Sequence, residues 1–478
     1  MPKLCEKELC CGCGACSSQC PTNALTLQSD DLGFIYPEIN SSLCCECNKC
    51  TNSCPVINSK KVYTLQDLKI AYAGYSLNHS VIMNSSSGAT AYSLYKAIIE
   101  QSGVVFGVRY KSDYRGAEYV EVNQISDLPQ LQKSKYVETD RTILFNNLDK
   151  ALQRKKMVLV IGTPCDIAAI NTIFGYRENL FTCKLICQGT TSNKAFNDYL
   201  DNLEKIHLSK ISKVDLRYKI EGQPTFPTWV KIDFENGKSY IGKWTEQDYY
   251  RSFFIMNRDS CSNCSFKKDN GSIADLTLGD FQGISNKDDF YNHDGVSLIL
   301  AHTKRGLKLL NFLKNNFYLK KVSYKDTVKY NWMINKSYPT SPFKKEFSDN
   351  FKKFGLTTSC ELLKKEQNDS IKLISENILK SNSRVAIWGA GGTTLMMYEK
   401  LHMSEWNIID IYDTSTLRIG KLFKNYTVKN ISDIGKNIYN IDLLVVMIPS
   451  VPEENLLKDL KTFGWTKDII NVGKYKYW

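Results

Sequence analysis

The sequence predicts an α/β protein built from several domains, and three observations support this fold class. Cysteines near the amino terminus form two runs with one common spacing. The middle of the chain alternates strand-like and helix-like patterns, which is typical of parallel α/β units. A glycine-rich turn within residues 385–394 follows a strand pattern and begins a further small unit. Because 478 residues exceed one hydrophobic core, we expect domains over 1–60, 65–340 and 383–478, with a helical linker over 341–382.

The composition excludes several classes of protein. Hydrophobic residues make up 42% of the chain and aromatic residues 12%, as in a well-packed globular protein. No run approaches the roughly 18 consecutive apolar residues of a membrane helix, and no apolar signal segment follows Met1. The net charge of +12 comes from scattered lysines, whereas nucleic-acid binding needs a concentrated basic stripe and a recognition motif. We therefore expect a cytoplasmic protein with no transmembrane segment and no nucleic-acid partner.

The two cysteine runs share the pattern C-x2-C-x2-C-x3-C-P, and each cysteine of the second lies 34 residues after its counterpart. This spacing is that of two-cluster bacterial ferredoxins, in which the fourth cysteine of each run ligates the other cluster. Three thiolates on a short loop reach three corners of a cubane, so the fourth ligand comes from elsewhere in the chain. The sequence therefore predicts two [4Fe–4S] clusters, one held by Cys10, Cys13, Cys16 and Cys54, and the other by Cys44, Cys47, Cys50 and Cys20.

Two other uses of these cysteines fit the sequence less well. A disulfide framework needs an oxidising compartment, but no secretory signal opens the chain. A structural zinc site usually pairs two C-x2-C knuckles, whereas each run here carries four cysteines. Cys11 and Cys45 fall outside the spacing and are interpreted as neighbours of the ligands, with a slip of register left open as the alternative.

Residues 69–243 supply the elements of the central domain. Strands are predicted at Lys69–Tyr75, Val104–Tyr110, Met157–Ile161 and Leu180–Ile186. Helices are predicted at Thr90–Gln101, Arg141–Arg154 and Asn193–Ile206. Between residues 213 and 243 the period shortens to two, which predicts antiparallel strands added to the α/β unit.

Several separated motifs follow one another in a specific order. Besides the paired cysteine runs, they are Ser86-Ser87-Gly88-Ala89, Ser134-Lys135-Tyr136, Gly162-Thr163-Pro164-Cys165, Cys187-Gln188-Gly189, Cys261-x2-Cys264 and Gly279-Asp280-Phe281. Over about residues 1–340 the chain resembles the coenzyme F-420 hydrogenase/dehydrogenase beta-subunit family. The resemblance implies bound FAD and iron–sulfur clusters, with electrons passing between a ferredoxin-like relay and a second redox partner at the flavin. The chain departs from the family at two positions: Ala89 stands where the family usually has a second glycine, and Gln282 stands where it often has a tryptophan.

The resemblance and the local pattern together predict a flavin site. Ser86, Ser87 and Gly88 precede a helix, so backbone amides and the helix N-terminus can approach a pyrophosphate, with Lys135 as a cationic partner. An ordinary helix-capping turn is the alternative. Thr163 follows a buried strand, at the edge where open α/β sheets bind ligands.

A further set of cysteines lies in motifs at strand ends or in a knuckle, namely Cys165, Cys187, Cys261 and Cys264. We expect them to converge on a third cluster near the flavin. Buried thiols and a C-x2-C zinc knuckle are the alternatives, because cysteine is also a common small hydrophobic residue.

The last part of the chain contains a glycine turn, formed by Gly389 and Gly391, between a strand and a helix, although Thr394 leaves the G-x-G-x-x-G/A fingerprint incomplete. Asp413 ends the next strand, where a ribose hydroxyl is bound in dinucleotide folds. With these features the segment resembles the small Rossmann-like domains that are appended to sugar-modifying enzymes. The candidate ligands are a nucleotide-sugar or similar phosphorylated compound and a nicotinamide cofactor. A packing module without a ligand is the third interpretation.

These features favour an iron–sulfur flavin-dependent oxidoreductase. Reduced ferredoxin or a similar donor would supply electrons, and a small molecule, such as a nucleotide-linked sugar of polysaccharide synthesis, would accept them. The alternative is an electron-relay beta subunit of a hydrogenase or dehydrogenase complex without its own substrate. A redox sensor is a third interpretation, but the sequence contains no recognisable effector domain. The sequence identifies no general acid, since only Asp280 among the candidates belongs to a motif; the others are His79, His207, His293 and His302.

Overall fold

The computed structural model describes residues 1–59, 62, 68–223, 225, 228–267, 272–313, 315–448 and 453–475. The chain divides into one compact unit of Met1–Tyr338 with Gly355–Thr357, and another of Pro339–Phe354 with Thr358–Trp478. The predicted boundary between residues 60 and 65 lies outside the described residues, apart from Val62. Within the described ranges, no helix is long and apolar enough to span a bilayer.

The amino-terminal segment is small and repeats itself. A hairpin of β1 (Leu25–Ser29) and β2 (Ile35–Ile39) pairs antiparallel, with Leu25 opposite Ile39. The short helices α1 (Ala15–Ser18) and α2 (Lys49–Ser53) occur at equivalent places in the two cysteine runs. Each run therefore forms a loop followed by a single helical turn that carries its third cysteine.

The strands of the rest of the first unit belong to two sheets. In chain order they are β3 (Ile70–Ser76), β4 (Val104–Tyr110), β5 (Ala117–Val122), β6 (Thr139–Asp140), β7 (Val158–Gly162), β8 (Leu180–Leu185), β9 (Ile211–Tyr218), β10 (Trp229–Phe234), β11 (Ser239–Lys243), β12 (Leu276–Asp280), β13 (Ser297–Ala301) and β14 (Phe317–Val322). The larger sheet has the order β14-β3-β13-β12-β8-β7-β4-β5-β6, and the smaller sheet has the order β11-β10-β9.

The larger sheet is mixed. Strands β4, β7 and β8 are parallel neighbours, as the alternating pattern predicts, and β12 is a further parallel strand beside β8. The expectation of a parallel unit is wrong for β3, which pairs antiparallel with both β13 and β14. Its partners lie more than two hundred residues later in the chain, so the local pattern around β3 carries no information about its direction. The antiparallel strands predicted between residues 213 and 243 form the separate smaller sheet.

Helices cover both faces of the larger sheet. Those of the first unit are α3 (His79–Met83), α4 (Thr90–Glu100), α5 (Leu144–Gln153), α6 (Pro164–Phe174), α7 (Asn193–His207), α8 (Asp248–Ile255), α9 (Asp259–Ser262), α10 (Lys304–Asn311) and α11 (Tyr324–Tyr330). Helices α5 and α6 pack on one face with Val158 and Val160, while α4 and α10 pack on the other with Leu159 and Ile161. Alternate residues of β7 therefore enter two cores, which explains why β7 is apolar throughout.

The second unit contains helices and one sheet. Its elements are α12 (Lys344–Phe354), α13 (Leu356–Ser381), β15 (Val385–Trp388), α14 (Gly392–Lys400), β16 (Ile408–Asp413), β17 (Leu422–Phe423), β18 (Tyr426–Asn430), β19 (Leu443–Val446), α15 (Glu453–Thr462) and β20 (Ile469–Asn471). The sheet order is β17-β18-β16-β15-β19-β20, and β17–β18 is an antiparallel pair. The segment expected to be a helical linker is helical, and it contributes Ile371 and Ile378 to the core of this unit.

Candidate functional site

The two cysteine loops have matching backbone geometry. Gly12 and Gly14 have φ values of 65° and 71°, and the equivalent residues Glu46 and Asn48 have values of 54° and 58°. Glycine adopts this left-handed region without strain, whereas Glu46 does so at a cost of about 1–2 kcal/mol. The second loop keeps this costly conformation, so the same loop shape is required in both runs.

The first loop lies beside the last cysteine of the second run. The Cys5 thiol lies near both Cys10 and Cys54, and its pKa is raised by them. A hydrogen bond from Cys5 lowers the pKa of Cys10 to about 7 and that of Cys54 to about 6. Burial, followed by the negative charges of Cys10 and Cys54, raises the pKa of Cys16 to about 12. Cys54 is thus a neighbour of the first run, as the crossed assignment requires.

The second loop has the complementary arrangement. Cys20, the last cysteine of the first run, lines one pocket together with Cys44, Cys47 and Cys50. Among the described residues, no three potential ligands are grouped to hold a single metal ion. In a [4Fe–4S] cubane each cysteine binds a different iron, so four thiolates around a shared space suit the cluster. Both donor sets therefore fit the predicted cofactor.

The remaining motif cysteines lie together at one edge of the larger sheet. Cys165 begins α6 after β7, and Cys187 follows the parallel neighbour β8. Burial, followed by the charges of Cys187 and Cys165, raises the pKa of Cys261 to about 12. Burial, followed by the charge of Cys165, raises the pKa of Cys264 to about 12 as well. We refer to Cys165, Cys187, Cys261 and Cys264 as the four-cysteine group.

Cys11 joins the first loop to the four-cysteine group. Its thiol lies near enough to Cys13 and Cys165 for both to affect its pKa, which the neighbouring Cys13 raises. Cys11, Cys165 and Cys264 also pack against the hydrophobic core that contains Cys13. The sequence placed Cys11 outside the ligand spacing, and the structure puts it between two sets of cysteines.

A buried network holds the loop that carries Cys165. The Asp166 carboxylate accepts hydrogen bonds from the Thr163 amide at 3.0 Å, the Thr163 hydroxyl at 2.8 Å and the Tyr119 hydroxyl at 2.9 Å. Arg141 also donates to Asp166 and forms a buried ion pair with it. The Thr163 hydroxyl lies 3.0 Å from the Cys165 sulfur. Thr163 therefore caps α6 and positions Cys165.

The Ser86–Gly88 turn is surrounded by cations that sequence reasoning did not identify. Lys219 Nζ donates to the carbonyl oxygens of Ile82 and Ser87, both at 2.8 Å. Arg217 Nη2 donates to the Ser86 carbonyl at 2.8 Å and to Asp280 at 2.9 Å.

A third cation near the same turn, Lys133, donates to the Met83 carbonyl at 2.9 Å. Burial, followed by the nearby charges of Lys133 and Arg217, lowers the pKa of Lys219 to about 7. The spacing of Arg217, in β9, and Lys219, directly after β9, was the available sequence signal, since residues two apart in an extended chain share one face.

The residues predicted at this turn have specific partners. Lys135 Nζ donates to the carbonyl oxygens of Gln130, Gln132 and Lys133, and burial lowers its pKa to about 7. The Ser86 hydroxyl accepts from the Ser134 amide at 2.9 Å, and the Ser87 hydroxyl donates to the Val296 carbonyl at 2.7 Å.

Gly88 has a packing role. A Cβ atom there would lie 2.7 Å from the Ser297 amide nitrogen and closer still to the Gly74 carbonyl oxygen. The missing side chain therefore lets the turn contact β3 and β13. Ala89 has φ of 69°, which explains why a glycine suits this position.

In the second unit, Asp413 is tied to its own chain. Its carboxylate accepts from the amides of Ala390 and Ser415, both at 2.7 Å, and from Arg418 Nη1 at 3.1 Å. Gly389 has φ of 114°, and a Cβ atom on Gly391 would lie 3.1 Å from Arg418 Nη1. Asp413 therefore shapes the glycine turn, and Arg418, which is half-exposed, lies over it.

The structure does not single out a general acid among the sequence candidates. Asp280 forms an ion pair with Arg217 at 2.9 Å. His302 is buried, and its Nε2 lies 2.7 Å from the Thr277 hydroxyl. His79 is exposed and lies 3.3 Å from Asp294.

Comparison with known proteins agrees with this arrangement. Residues 9–58 match the model of the 4Fe-4S dicluster domain, and residues 155–327 match the model of the C terminus of the coenzyme F-420 hydrogenase/dehydrogenase beta subunit. The chain is an iron–sulfur electron-transfer oxidoreductase. More particularly, it is related to the coenzyme F-420 hydrogenase/dehydrogenase beta subunit through the C-terminal domain of that subunit at residues 155–327, and it carries a dicluster domain at residues 9–58. No curated protein matches the chain.

Three solved structures are similar in part. The F-420-reducing NiFe hydrogenase complex from Methanosarcina barkeri has 15% identity, covers 56% of this chain and 91% of that chain, and has a TM-score of 0.38. RSP, a Rex-family repressor, has 22% identity over 19% of this chain and 44% of that chain, with a TM-score of 0.16. RSP in complex with beta-NADH has 17% identity over 31% and 65% of the two chains, also with a TM-score of 0.16. With these low TM-scores, the classification depends on the family matches alone.

Proposed function

We propose that this protein is an iron–sulfur flavoenzyme with three [4Fe–4S] clusters and FAD. Reduced ferredoxin or a similar donor supplies the electrons, and a small molecule accepts them. The observation that carries the proposal is the packing of Cys11, Cys165 and Cys264 against the core that contains Cys13, because it brings the first loop and the four-cysteine group together. Bound clusters transfer single electrons, and a bound flavin exchanges electrons one or two at a time.

The ligand sets follow the grouping of the thiols. The first cluster takes Cys10, Cys13, Cys16 and Cys54; the second takes Cys44, Cys47, Cys50 and Cys20; and the third takes the four-cysteine group. Cys45 and Cys47 are exposed, whereas Cys10, Cys13 and Cys54 are buried. The donor therefore docks at the second cluster, and the first cluster connects it with the four-cysteine group.

Iron content tests the third cluster. Anaerobically reconstituted protein should bind about twelve irons, and Cys261→Ala/Cys264→Ala protein about eight, because each cluster contains four. Cys183→Ala is the matched control, since Cys183 is buried in β8 within a different core. Equal iron content in the double variant and the wild type would remove the third cluster from the proposal.

The three cations near the Ser86–Gly88 turn support a binding site for the flavin pyrophosphate there. After burial, the charge of Arg217 lowers the pKa of Lys133, and the charges of Lys133 and Arg217 lower the pKa of Lys219. A pyrophosphate would relieve this repulsion and accept hydrogen bonds from the cations. The proposed isoalloxazine lies at Thr163 and Cys165, at the edge formed by β7 and β8, and therefore beside the four-cysteine group.

Flavin titration tests this site. Lys219→Met should weaken FAD binding to the apoprotein at least tenfold, since a charge-assisted hydrogen bond contributes about 1.5–3 kcal/mol. Lys238→Met, at an exposed lysine of the same unit, should bind FAD like the wild type. Iron content should remain unchanged in both. Failure of the fully iron-loaded wild type to bind added FAD would refute the flavin assignment.

For the second unit, we propose a Rossmann-like domain that binds a nucleotide-containing ligand, such as a nucleotide-linked sugar. Arg418 is suited to a phosphate because its guanidinium lies over the Gly389–Gly391 turn, and Asp413 holds that turn in shape. Calorimetry of the full chain against nucleotide-sugars and nicotinamide cofactors tests this. Arg418→Gln should abolish the binding heat, and Lys424→Gln should retain it.

The alternative is a relay subunit that has no substrate of its own, which the family match accommodates equally well. A relay would reduce artificial dyes with the same rate in wild-type and Arg418→Gln protein, and it would give no binding heat with either ligand panel. A substrate enzyme would retain dye reduction in Arg418→Gln protein but lose turnover of the ligand found by calorimetry.

A further inference from the structure

A buried ion pair lies against the first cysteine loop. The side chains of Arg258 and Glu138 are 1% and 2% exposed, and the Glu138 carboxylate accepts a hydrogen bond from Arg258 Nη2. Glu138 also accepts from the Ile35 amide at 3.2 Å. The Arg258 guanidinium lies over the rings of Phe34 and Tyr36, with 5.1 and 4.6 Å to their centroids. Water is therefore excluded from both charges, and their electrostatic effect on neighbouring groups is strong.

Both charges contact the loop that carries Cys10 and Cys13. Arg258 Nη1 donates to the Cys10 carbonyl oxygen at 3.2 Å. A Cβ atom on Gly12 would lie 2.8 Å from Arg258 Nη2 and 2.8 Å from Glu138 Oε1. This approach is possible only with glycine between the two cysteines. The buried Nε of Arg258 has no hydrogen-bond partner among the described residues, so a donor remains for a negatively charged neighbour.

Arg258 also holds the four-cysteine group through its backbone. Its amide donates to the Thr190 carbonyl at 3.0 Å, and its carbonyl accepts from the Cys261 amide at 3.0 Å. One residue therefore touches the first loop with its side chain and a member of the four-cysteine group with its main chain. This double contact is independent of the Cys11 contact.

We propose that the Arg258–Glu138 pair sets the reduction potential of the cluster bound by Cys10, Cys13, Cys16 and Cys54. Reduction adds one negative charge to a cluster, so the adjacent guanidinium stabilises the reduced state and the adjacent carboxylate destabilises it. Arg258 is a positioning residue that also fixes this cluster against the four-cysteine group. The inference rests on the ligand sets of the proposed function.

Removal of the positive charge and removal of the negative charge should shift the reduction potential of the cluster in opposite directions. In the reconstituted full chain, Arg258→Gln should lower the midpoint potential of one [4Fe–4S] centre, and Glu138→Gln should raise that of the same centre. Redox titration followed by electron paramagnetic resonance measures both. Arg305→Gln is the matched control, because Arg305 also pairs with a buried carboxylate, Asp275, and lies over two aromatic rings. It should shift no centre.

Loss of either charge from a buried ion pair destabilises a protein. Arg258→Gln also removes the guanidinium that contacts the Cys10 carbonyl, so this variant can fail to fold. The isosteric variant Glu138→Gln and the charge-conserving variant Arg258→Lys then test the proposal. Glu138→Gln must raise the reduction potential of the cluster. In Arg258→Lys protein the potential must differ less from the wild-type value than it does in Glu138→Gln protein. A fall or no change in Glu138→Gln protein with intact clusters overturns the proposal, as do shifts of equal sign in the two glutamine variants.

The shifting centre is identified as the one missing from Cys10→Ala/Cys54→Ala protein. If that double variant loses no single centre, the ligand assignment of the proposed function fails. If it loses one, and that centre has an unchanged potential in Glu138→Gln protein, only the role of the ion pair is refuted.

Discussion

Double cysteine substitutions test how the two amino-terminal motifs share their ligands. In the crossed arrangement, Cys10 and Cys54 serve one cluster, whereas Cys10 and Cys20 serve different clusters. Cys10→Ala/Cys54→Ala thus removes two thiolates from one set of four. Cys10→Ala/Cys20→Ala removes one thiolate from each of two sets.

The expected magnitudes follow from the grouping of the thiols. Cys10 and Cys54 both raise the pKa of the neighbouring Cys5, while Cys20 lines a pocket with the second run. From about twelve irons in the wild type, the Cys10/Cys54 variant should keep about eight, as two intact [4Fe–4S] centres. The Cys10/Cys20 variant should keep only one intact centre. An uncrossed arrangement predicts the reverse result for the two variants.

The assay combines metal analysis with spectroscopy. Each variant is reconstituted anaerobically, its iron is measured by plasma mass spectrometry, and its reduced centres are counted by electron paramagnetic resonance. Cys183→Ala should match the wild type in both measurements, because this buried thiol of β8 lies in a separate core. Two intact centres in the Cys10/Cys20 variant and one in the Cys10/Cys54 variant would refute the crossed assignment.

Further predictions concern the turn before α4. Ala89→Gly should raise the free energy of unfolding by about 0.5–1 kcal/mol, because relief of the left-handed strain exceeds the added unfolded-state entropy. Thermal unfolding measures this change: a higher midpoint supports the prediction, and a lower midpoint contradicts it. Gly88→Ala should cost about 1–3 kcal/mol, since its Cβ meets backbone atoms, and no drop in the midpoint would disprove this packing role. FAD affinity should fall above pH 7, where Lys219 and Lys135, with pKa values of about 7, lose the protons that favour an anion. Fluorescence titration from pH 6 to 9 measures this, and a flat profile excludes these lysines.

The sequence alone was sufficient for features that depend on local spacing. The cysteine runs predict the dicluster domain because three ligands of each cluster come from one short loop, and the family match confirms it. The strand predicted at Val104–Tyr110 has the observed bounds, since its apolar run is buried against helices on both faces. The placing of Cys54 with the first run remains a prediction that the grouping of the thiols supports.

Only the tertiary structure decided which distant residues meet. The direction of β3 depends on partners that come much later in the chain. Arg217 and Lys219 approach the Ser86–Gly88 turn through the fold, and Arg258 reaches the first cysteine loop from a position 248 residues away. Local periodicity records which face of an element is buried. It does not record which charge lies opposite that face, because long-range contacts arise when separately patterned elements pack together.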